Sequence, residues 1–277
     1  MIKMVISDMD GTLLDSEKKI SEENKRAIRL LEEKGTVFLL ATGRIFASAA
    51  SHARELGLRA QIIACNGALI KNPVTKEVLY EKVIEKNLAV RVMEIFEEEG
   101  IYYHFYTERD FYTKELKYTS LAYMRANETM PEEERIHLAV REDMFSALEE
   151  ASMAMKFVAI DEERSRVDRV KERLREIPGI EISQSWYNNL EIMAEGISKG
   201  IALAKVARHY GVDERQILAL GDHFNDISMI ERAGFGIAMG NAEEEVKRAA
   251  VYVTDTNDKD GFAKAIRHYS DHLSAFR

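Results

Sequence analysis

Met4-Val5-Ile6-Ser7-Asp8-Met9-Asp10-Gly11-Thr12-Leu13-Leu14-Asp15 decides the fold. A short apolar, β-rich run stops at two carboxylates one residue apart, and Gly11 and Thr12 mark a turn directly after it. The pattern predicts a buried strand that delivers acidic groups to the mouth of a sheet. Side chains two apart on a strand share a face, so Asp8 and Asp10 point the same way unless the turn re-aims the second. Two carboxylates beside exposed backbone N–H groups suit a cation and an oxyanion better than they suit packing, with local turn capping as the simpler alternative.

Working outward, Ser21 precedes a periodic run in which Ala27, Ile28, Leu30 and Leu31 form one stripe, and Gly35 supplies a stop, which predicts a helix. Residues 36–41 read as a buried strand, followed by Thr42-Gly43-Arg44 and a helix to about residue 56. The strand, helix, strand alternation predicts a parallel α/β sheet. Residues 61–65 form the next expected strand, and Leu69-Ile70 and Val78-Leu79-Tyr80 flank a turn as a β-hairpin.

The pattern changes after residue 83. An amphipathic helix over 85–99, strands over 101–106, 111–114, 154–160 and 181–185, and a helix near 162–176 predict a separate α+β unit at 84–189. The α/β rhythm returns with a helix from Lys199 to about Tyr210, then a strand over 217–220 that runs into Gly221-Asp222-His223-Phe224-Asn225-Asp226. Residues 235–239 and 251–253 add two more strands. The expected organisation is a discontinuous core, 1–83 and 190–277, with 84–189 inserted into it.

With 277 residues, 46% of them apolar, the chain can bury a sizeable core. Its 48 acidic and 39 basic residues leave a formal charge of -9, so it has no general attraction for nucleic acid or an anionic membrane, and a small ligand is the default partner. Cys65 is the only cysteine and reads as a small buried hydrophobe; an intrachain disulfide is impossible. No basic leader and no run of about 20 apolar residues is present, and the cytoplasm is the expected location.

Asp222 and Asp226 bracket Asn225 just after an apolar strand, and parallel strands place their carboxyl ends along one edge, so both acidic loops converge. Oxygen donors suit Mg²⁺, and the Cys/His spacing of a structural zinc site is lacking. Thr42 follows a third strand, where its hydroxyl and nearby N–H groups can orient a phosphoryl oxygen; a helix N-cap is the plainer role. Lys199 follows Gly196-Ile197-Ser198 at another helix start and can bring an ammonium to the same anion, although an isolated lysine there usually faces solvent. Taken together, the set implies that Asp8 attacks phosphorus while Asp10 protonates the leaving oxygen and later activates water. Mg²⁺ held by Asp8 and Asp222 would offset the repulsion between the anions.

Asp8 to Leu14, Ala41-Thr42-Gly43-Arg44, Ser198-Lys199-Gly200 and the 221–226 loop together resemble the haloacid dehalogenase (HAD)-like hydrolase superfamily, and within it the Cof-type phosphatase branch with a large C2-type cap of the C2B kind. The resemblance implies a Rossmann-like core, its mainly parallel sheet flanked by helices, with an inserted α+β cap that sets specificity. It implies that Asp8 is the phosphoryl-accepting nucleophile, and that Asp10 is the general acid/base and lends its backbone carbonyl to the metal. Thr42, Gly43 and Lys199 match phosphate-contacting positions, Asp222 a Mg²⁺ ligand, and Asn225 and Asp226 groups that orient the metal, its waters or Lys199. Arg44, Asn66 and His223 are pocket candidates; Asn66-Gly67-Ala68 and Asp260-Gly261 also fit the branch.

Phe262 and His223 stand where a smaller aliphatic residue and an Asn are commoner. The implied substrate is a small phosphorylated metabolite such as a sugar phosphate or a phosphorylated cofactor, handled by a monomer or homodimer without nucleic-acid or membrane partners. A phosphomutase of the same superfamily and a catalytically silent metabolite-binding protein are the alternatives. In the cap, the aromatic run at 102–106 reads as strand packing more readily than as a stacking surface. Trp186, Tyr187 and Asn188 either line the substrate entrance or pack a hinge. Met130-Pro131 with the three glutamates after it reads as a solvated turn and helix start.

Overall fold

The computed structural model describes residues 1–128, 130–132 and 135–273, so the expected turn at 130–134 lies only partly within it. The first segment runs β1 (Met4–Ser7), α1 (Glu22–Glu33), β2 (Val37–Leu40), α2 (Phe46–Glu55), β3 (Ile62–Ala64), β4 (Leu69–Lys71) and β5 (Val78–Glu81). The middle runs α3 (Lys86–Glu99), β6 (Tyr102–Tyr106), β7 (Asp110–Thr113), α4 (Tyr118–Asn127), β8 (His137–Val140), α5 (Met144–Ala151), β9 (Lys156–Ile160), α6 (Arg164–Arg175), β10 (Ile180–Ser183) and β11 (Asn189–Ala194). The last runs α7 (Lys199–Tyr210), β12 (Ile217–Gly221), α8 (Ile227–Arg232), β13 (Phe235–Ala238), α9 (Glu244–Ala249), β14 (Tyr252–Val253) and α10 (Gly261–His268).

The opening strand and its neighbours form a parallel sheet in the order β14-β13-β12-β1-β2. Every residue of β1 is buried, as expected for a strand covered on both faces, and this is why its sequence is apolar rather than alternating. Ser7 is level with Leu220 on one side and with Leu40 on the other. The chain therefore leaves three adjacent strands at one height, through Asp8, Gly221-Asp222 and Ala41-Thr42. The Thr42 N–H donates to the Ile63 carbonyl at 2.8 Å, which carries the edge on to the strand before Asn66. β3, β4 and β5 form a small antiparallel sheet containing the expected hairpin.

Two helix starts bear on the site. Ser21 accepts the Asn24 N–H to begin α1, whose Ala27, Ile28 and Leu31 are buried. Ser198 accepts the Ile201 N–H at 3.2 Å to begin α7, and Gly211, at φ 63°, ends it in the left-handed region. Lys199 is thus the first residue of a capped helix.

The second sheet has the order β10-β11-β9-β6-β7-β8 and is antiparallel except between β7 and β8. β11 belongs to it, so the sheet runs past the boundary expected at 189, as far as Ala194. All six residues of β11 are buried, and an unbroken run of this kind does not reveal which sheet it joins. Most of the 102–106 aromatics pack: Phe105 stacks on Tyr112 at 4.8 Å, and Tyr103 and Phe157 pack against Phe96. Cys65 is free and buried, its thiol pushed up to about 12 by burial. Phe262 is also buried, edge-on to Phe38 at 5.6 Å. Among the described residues, no helix is long and apolar enough to cross a membrane.

Candidate active site

A cavity of about 700 Å³ opens where the carboxyl edge of the parallel sheet meets the second sheet. Asp8, Asp10, Thr42, Gly43, Arg44, Asp222, His223 and Asn225 line it from one side, and Tyr106, Tyr123, Lys156, Trp186 and Glu191 from the other. Lys199, Asp226 and Asn66 are fully or almost fully buried and stand behind this wall rather than in it.

Lys199 Nζ donates to Asp8 Oδ1 at 2.5 Å and to Asp226 Oδ1 at 2.6 Å. Burial opposes the ammonium charge, but Asp226 and Asp8 outweigh it and hold Lys199 protonated above the ordinary lysine range. Burial also pushes Asp8 well up; Lys199 counters it, and the nearby Asp226, Asp222 and Asp10 charges add to the rise. One lysine does not neutralise this group of acids. Asp8, Asp222 and Asp226 each offer a carboxylate oxygen within 4.8 Å of the others, and all three are buried. Hard oxygen donors at this spacing, with unbalanced negative charge, fit a divalent cation.

Hydrogen bonds divide the work among these acids. Asp226 commits Oδ1 to Lys199 and Oδ2 to the backbone N–H groups of Asp222 and His223, at 3.0 and 3.1 Å. It is therefore built into the loop. Asp222 Oδ1 accepts from the Thr12 hydroxyl at 2.8 Å, and Oδ2 lies 2.5 Å from His223 Nδ1. Burial works against a charged His223, yet Asp222 outweighs it and raises the imidazole above its usual range. Asp8 Oδ2 has no hydrogen-bond partner among the described residues. Asp8 and Asp222 line the cavity while Asp226 stands behind it, so Asp8 and Asp222 are the pair best placed to ligate a cation.

Asp10 is clamped by Arg44, Nε to Oδ2 at 2.6 Å and Nη2 to Oδ1 at 2.7 Å, and Lys18 Nζ adds a contact to Oδ1 at 2.9 Å. Burial would raise the Asp10 carboxyl, but Arg44 and then Lys18 win and hold it below the usual carboxylate range. Arg44, a pocket candidate by sequence, does line the cavity, but its guanidinium is occupied by this pairing and by Ser48 Oγ at 3.1 Å. Thr42 is not the N-cap of the following helix, since Ile45 holds that position. Its hydroxyl accepts the Arg44 N–H at 3.1 Å and so shapes the turn before the helix.

Asn66, expected in the pocket, does not line it. Its backbone is left-handed at φ 58°, its Nδ2 donates to Glu191 Oε2 at 2.6 Å, and its Oδ1 accepts from Asn225 Nδ2 at 3.2 Å. The cavity residues that the sequence reading does not flag include Lys156, Glu191 and Lys18. Lys156 and Glu191 form an ion pair at 2.7 Å with side chains 2% and 5% exposed. The signal was a lone carboxylate between Leu190 and Ile192, because a charge inside a buried strand needs a partner. Lys18 follows a turn and carries no comparable signal. Trp186, about half exposed, packs its ring 5.1 Å from that of His223, which puts it at the entrance.

The model of the family described as haloacid dehalogenase-like hydrolase matches residues 5–266. The chain belongs to this family. The hydrolase is 34% identical over 272 residues to the 5-amino-6-(5-phospho-D-ribitylamino)uracil phosphatase of Bacillus subtilis, covering 97% of this chain and 96% of that protein. It is 27% identical over 264 residues to the pyridoxal phosphate phosphatase of Escherichia coli, covering 95% and 97%. A solved HAD subclass IIB sugar phosphatase aligns with the hydrolase at a TM-score of 0.81 and 28% identity, covering 97% of this chain and 99% of that one. The α/β fold with a parallel sheet, expected from the opening strand, is thus the fold of this enzyme family.

Proposed function

We propose that this hydrolase is a cytoplasmic, Mg²⁺-dependent phosphomonoester hydrolase that acts on a small phosphorylated metabolite, such as a sugar phosphate or a phosphorylated cofactor, through an aspartyl-phosphate on Asp8. The observation that carries this is the Asp8 carboxylate on the cavity wall, held by buried Lys199 beside Asp222. The phosphatase names of its relatives support the reaction class.

Asp8 forms the new O–P bond as the ester P–O bond breaks, and Asp10 gives its proton to the leaving oxygen. Water then attacks phosphorus, Asp10 takes a proton from it, and the Asp8–phosphorus bond breaks to release inorganic phosphate. A bound Mg²⁺, held by Asp8, Asp222 and the Asp10 carbonyl, supplies the positive charge that lets carboxylate and phosphate approach. Lys199 fixes Asp8 and faces the same developing charge; Thr42 and Gly43 bind phosphoryl oxygens. For Asp10 to carry a proton its clamp to Arg44 must loosen, and an incoming phosphate offers the guanidinium another anion.

We place the cap at 84–194, including β11, and assign it the selection of leaving groups and the exclusion of water during transfer. A panel of phosphorylated metabolites, assayed with Mg²⁺ for inorganic phosphate and for phosphorylated isomers, tests the reading. Phosphate release that disappears in Asp8→Asn supports it. Isomers without phosphate would make the enzyme a mutase, and neither product across the panel would leave a binding protein.

A further inference from the structure

The cavity wall on the second-sheet side contains a charged pair that the phosphoryl-transfer chemistry does not use. Lys156 and Glu191 sit on neighbouring strands β9 and β11, with residue exposures of 1% and 4%. Burying two charges is costly, and apolar side chains of similar size would hold these strands together at least as well. The pair is therefore better explained by what it touches. Glu191 Oε1 accepts from Lys156 and, at 2.9 Å, from Ser185 Oγ, while Oε2 accepts from Asn66. With most of its accepting capacity spent on protein donors, Glu191 holds structure rather than ligand.

Both partners also reach out of their own sheet. Lys156 Nζ donates to the Gly43 carbonyl at 2.9 Å, one residue from Thr42. Glu191 grips Asn66 at 2.6 Å, and Asn66 in turn accepts from Asn225, which sits in the Phe224–Asp226 turn between Asp222 and Asp226. The approach at Gly43 is close: a β-carbon there would lie 2.9 Å from Asn66 Oδ1 and 3.0 Å from Lys156 Nζ, so a side chain at this position would push both groups out of their present places. One ion pair thus touches the Thr42–Gly43 turn directly and the acidic loop through a single asparagine.

We propose that Glu191, with Lys156 as its counter-ion, is a positioning residue: through Asn66 and Asn225 it sets the loop carrying Asp222 and Asp226, and through Lys156 it sets the turn carrying Thr42. The acidic loop and the phosphate turn are aligned by the cap's own strands, so the site is fully assembled only with the cap seated on it. The link to catalysis rests on the function proposed above; the link to loop geometry does not.

Two variants of the full chain test this. Asn66→Ala cuts the relay and leaves the ion pair intact. The double variant Lys156→Met/Glu191→Met removes both charges at once, so that no buried charge is stranded. Hydrogen–deuterium exchange without metal reads residues 222–226, whose amides at Asp222 and His223 donate to Asp226 Oδ2. Calorimetry reads Mg²⁺ affinity, and p-nitrophenyl phosphate turnover separates kcat from KM. In both variants exchange in this segment rises about tenfold, Mg²⁺ binding weakens about tenfold, and kcat falls more than KM changes. Glu191→Gln, which keeps an oxygen for Asn66, gives a smaller effect. Unchanged exchange at 222–226 in both variants, or faster exchange confined to β9 and β11, overturns the proposal. Absence of turnover in the parent chain would sink the phosphatase reading instead, and the exchange result would still decide the relay.

Discussion

Lys199 reaches Asp8 across 191 positions of sequence and donates to it at 2.5 Å from a fully buried position. The contact exists because α7 starts at Lys199 under its Ser198 cap while β1 stops at Ser7, so a helix start and a strand end meet at one sheet edge. Lys199→Met removes the lysine bound to Asp8 and Asp226. We expect kcat to fall by about 10² to 10³ and the metal-free fold to lose roughly 3 kcal/mol. Because the folded-state pKa of Lys199 is raised, its stabilising contribution is fully present below the ordinary lysine value of 10.5 and is lost as pH rises through the folded value. Steady-state kinetics and urea melts at neutral pH check both effects; turnover within a few-fold of the parent would remove Lys199 from the mechanism.

Gly11 makes a second case. Its φ of 77° lies in the left-handed region, and a β-carbon there would run into the Asp222 carboxylate. Gly11→Ala therefore pushes on the residue best placed to ligate a cation, while Asn241, which donates to the Gly11 carbonyl at 2.8 Å, resists movement of the turn. Mg²⁺ affinity should weaken by about tenfold or more, as measured by calorimetry, with a smaller change in melting temperature than in affinity. Parent-like affinity would show that Asp222 does not need its present position.

The core was legible because its chemistry lies where strands end. Asp8, Thr42 and Asp222 each follow a short apolar run, and parallel register brings such ends together whatever their separation in sequence. The division of labour was not legible in the strand pattern and came only with the family resemblance. Asp222 and Asp226 read alike until backbone N–H donors occupy one oxygen of Asp226, and Arg44 gives no sign that it will clamp Asp10, 34 residues away. Asn66 was a pocket candidate by the family resemblance alone, whereas its amide is consumed by Glu191, 125 residues on. Contacts across the two sheets depend on how the second sheet seats, which local pattern does not encode.

The Arg44 clamp has a consequence for pH. Arg44 outweighs burial and holds Asp10 below the usual carboxylate range, so Asp10 stays ionised in the free enzyme. Arg44→Met removes the larger of its two cationic partners and leaves burial and Lys18, so the Asp10 pKa rises. The alkaline limb of the kcat/KM profile, on which Asp10 loses the proton it must give to the leaving oxygen, reports the free enzyme and should move to higher pH in this variant. Profiles from pH 4 to 9 on one substrate check it. A limb that stays put, or moves to lower pH, would mean that Asp10 does not govern it.

His104 makes a prediction about stability alone. It is completely buried, stacked on Phe111 at 4.3 Å, with Nε2 3.2 Å from the Tyr106 hydroxyl and Nδ1 lacking a hydrogen-bond partner among the described residues. Burial, reinforced by the Lys156 charge, pushes its pKa well below the ordinary 6.5. The unfolded chain therefore binds a proton that the folded chain refuses between the depressed value and 6.5. Stability is full above 6.5 and declines as pH falls through that window, at up to about 1.4 kcal/mol per pH unit. His104→Phe abolishes this contribution. It also strands the Tyr106 hydroxyl, at a cost of about 1 kcal/mol that does not change with pH. Melting temperatures between pH 7.5 and 5 should thus start lower in the variant and fall less steeply than in the parent. Parallel curves would mean that His104 takes up its proton in the folded state as readily as in the unfolded one.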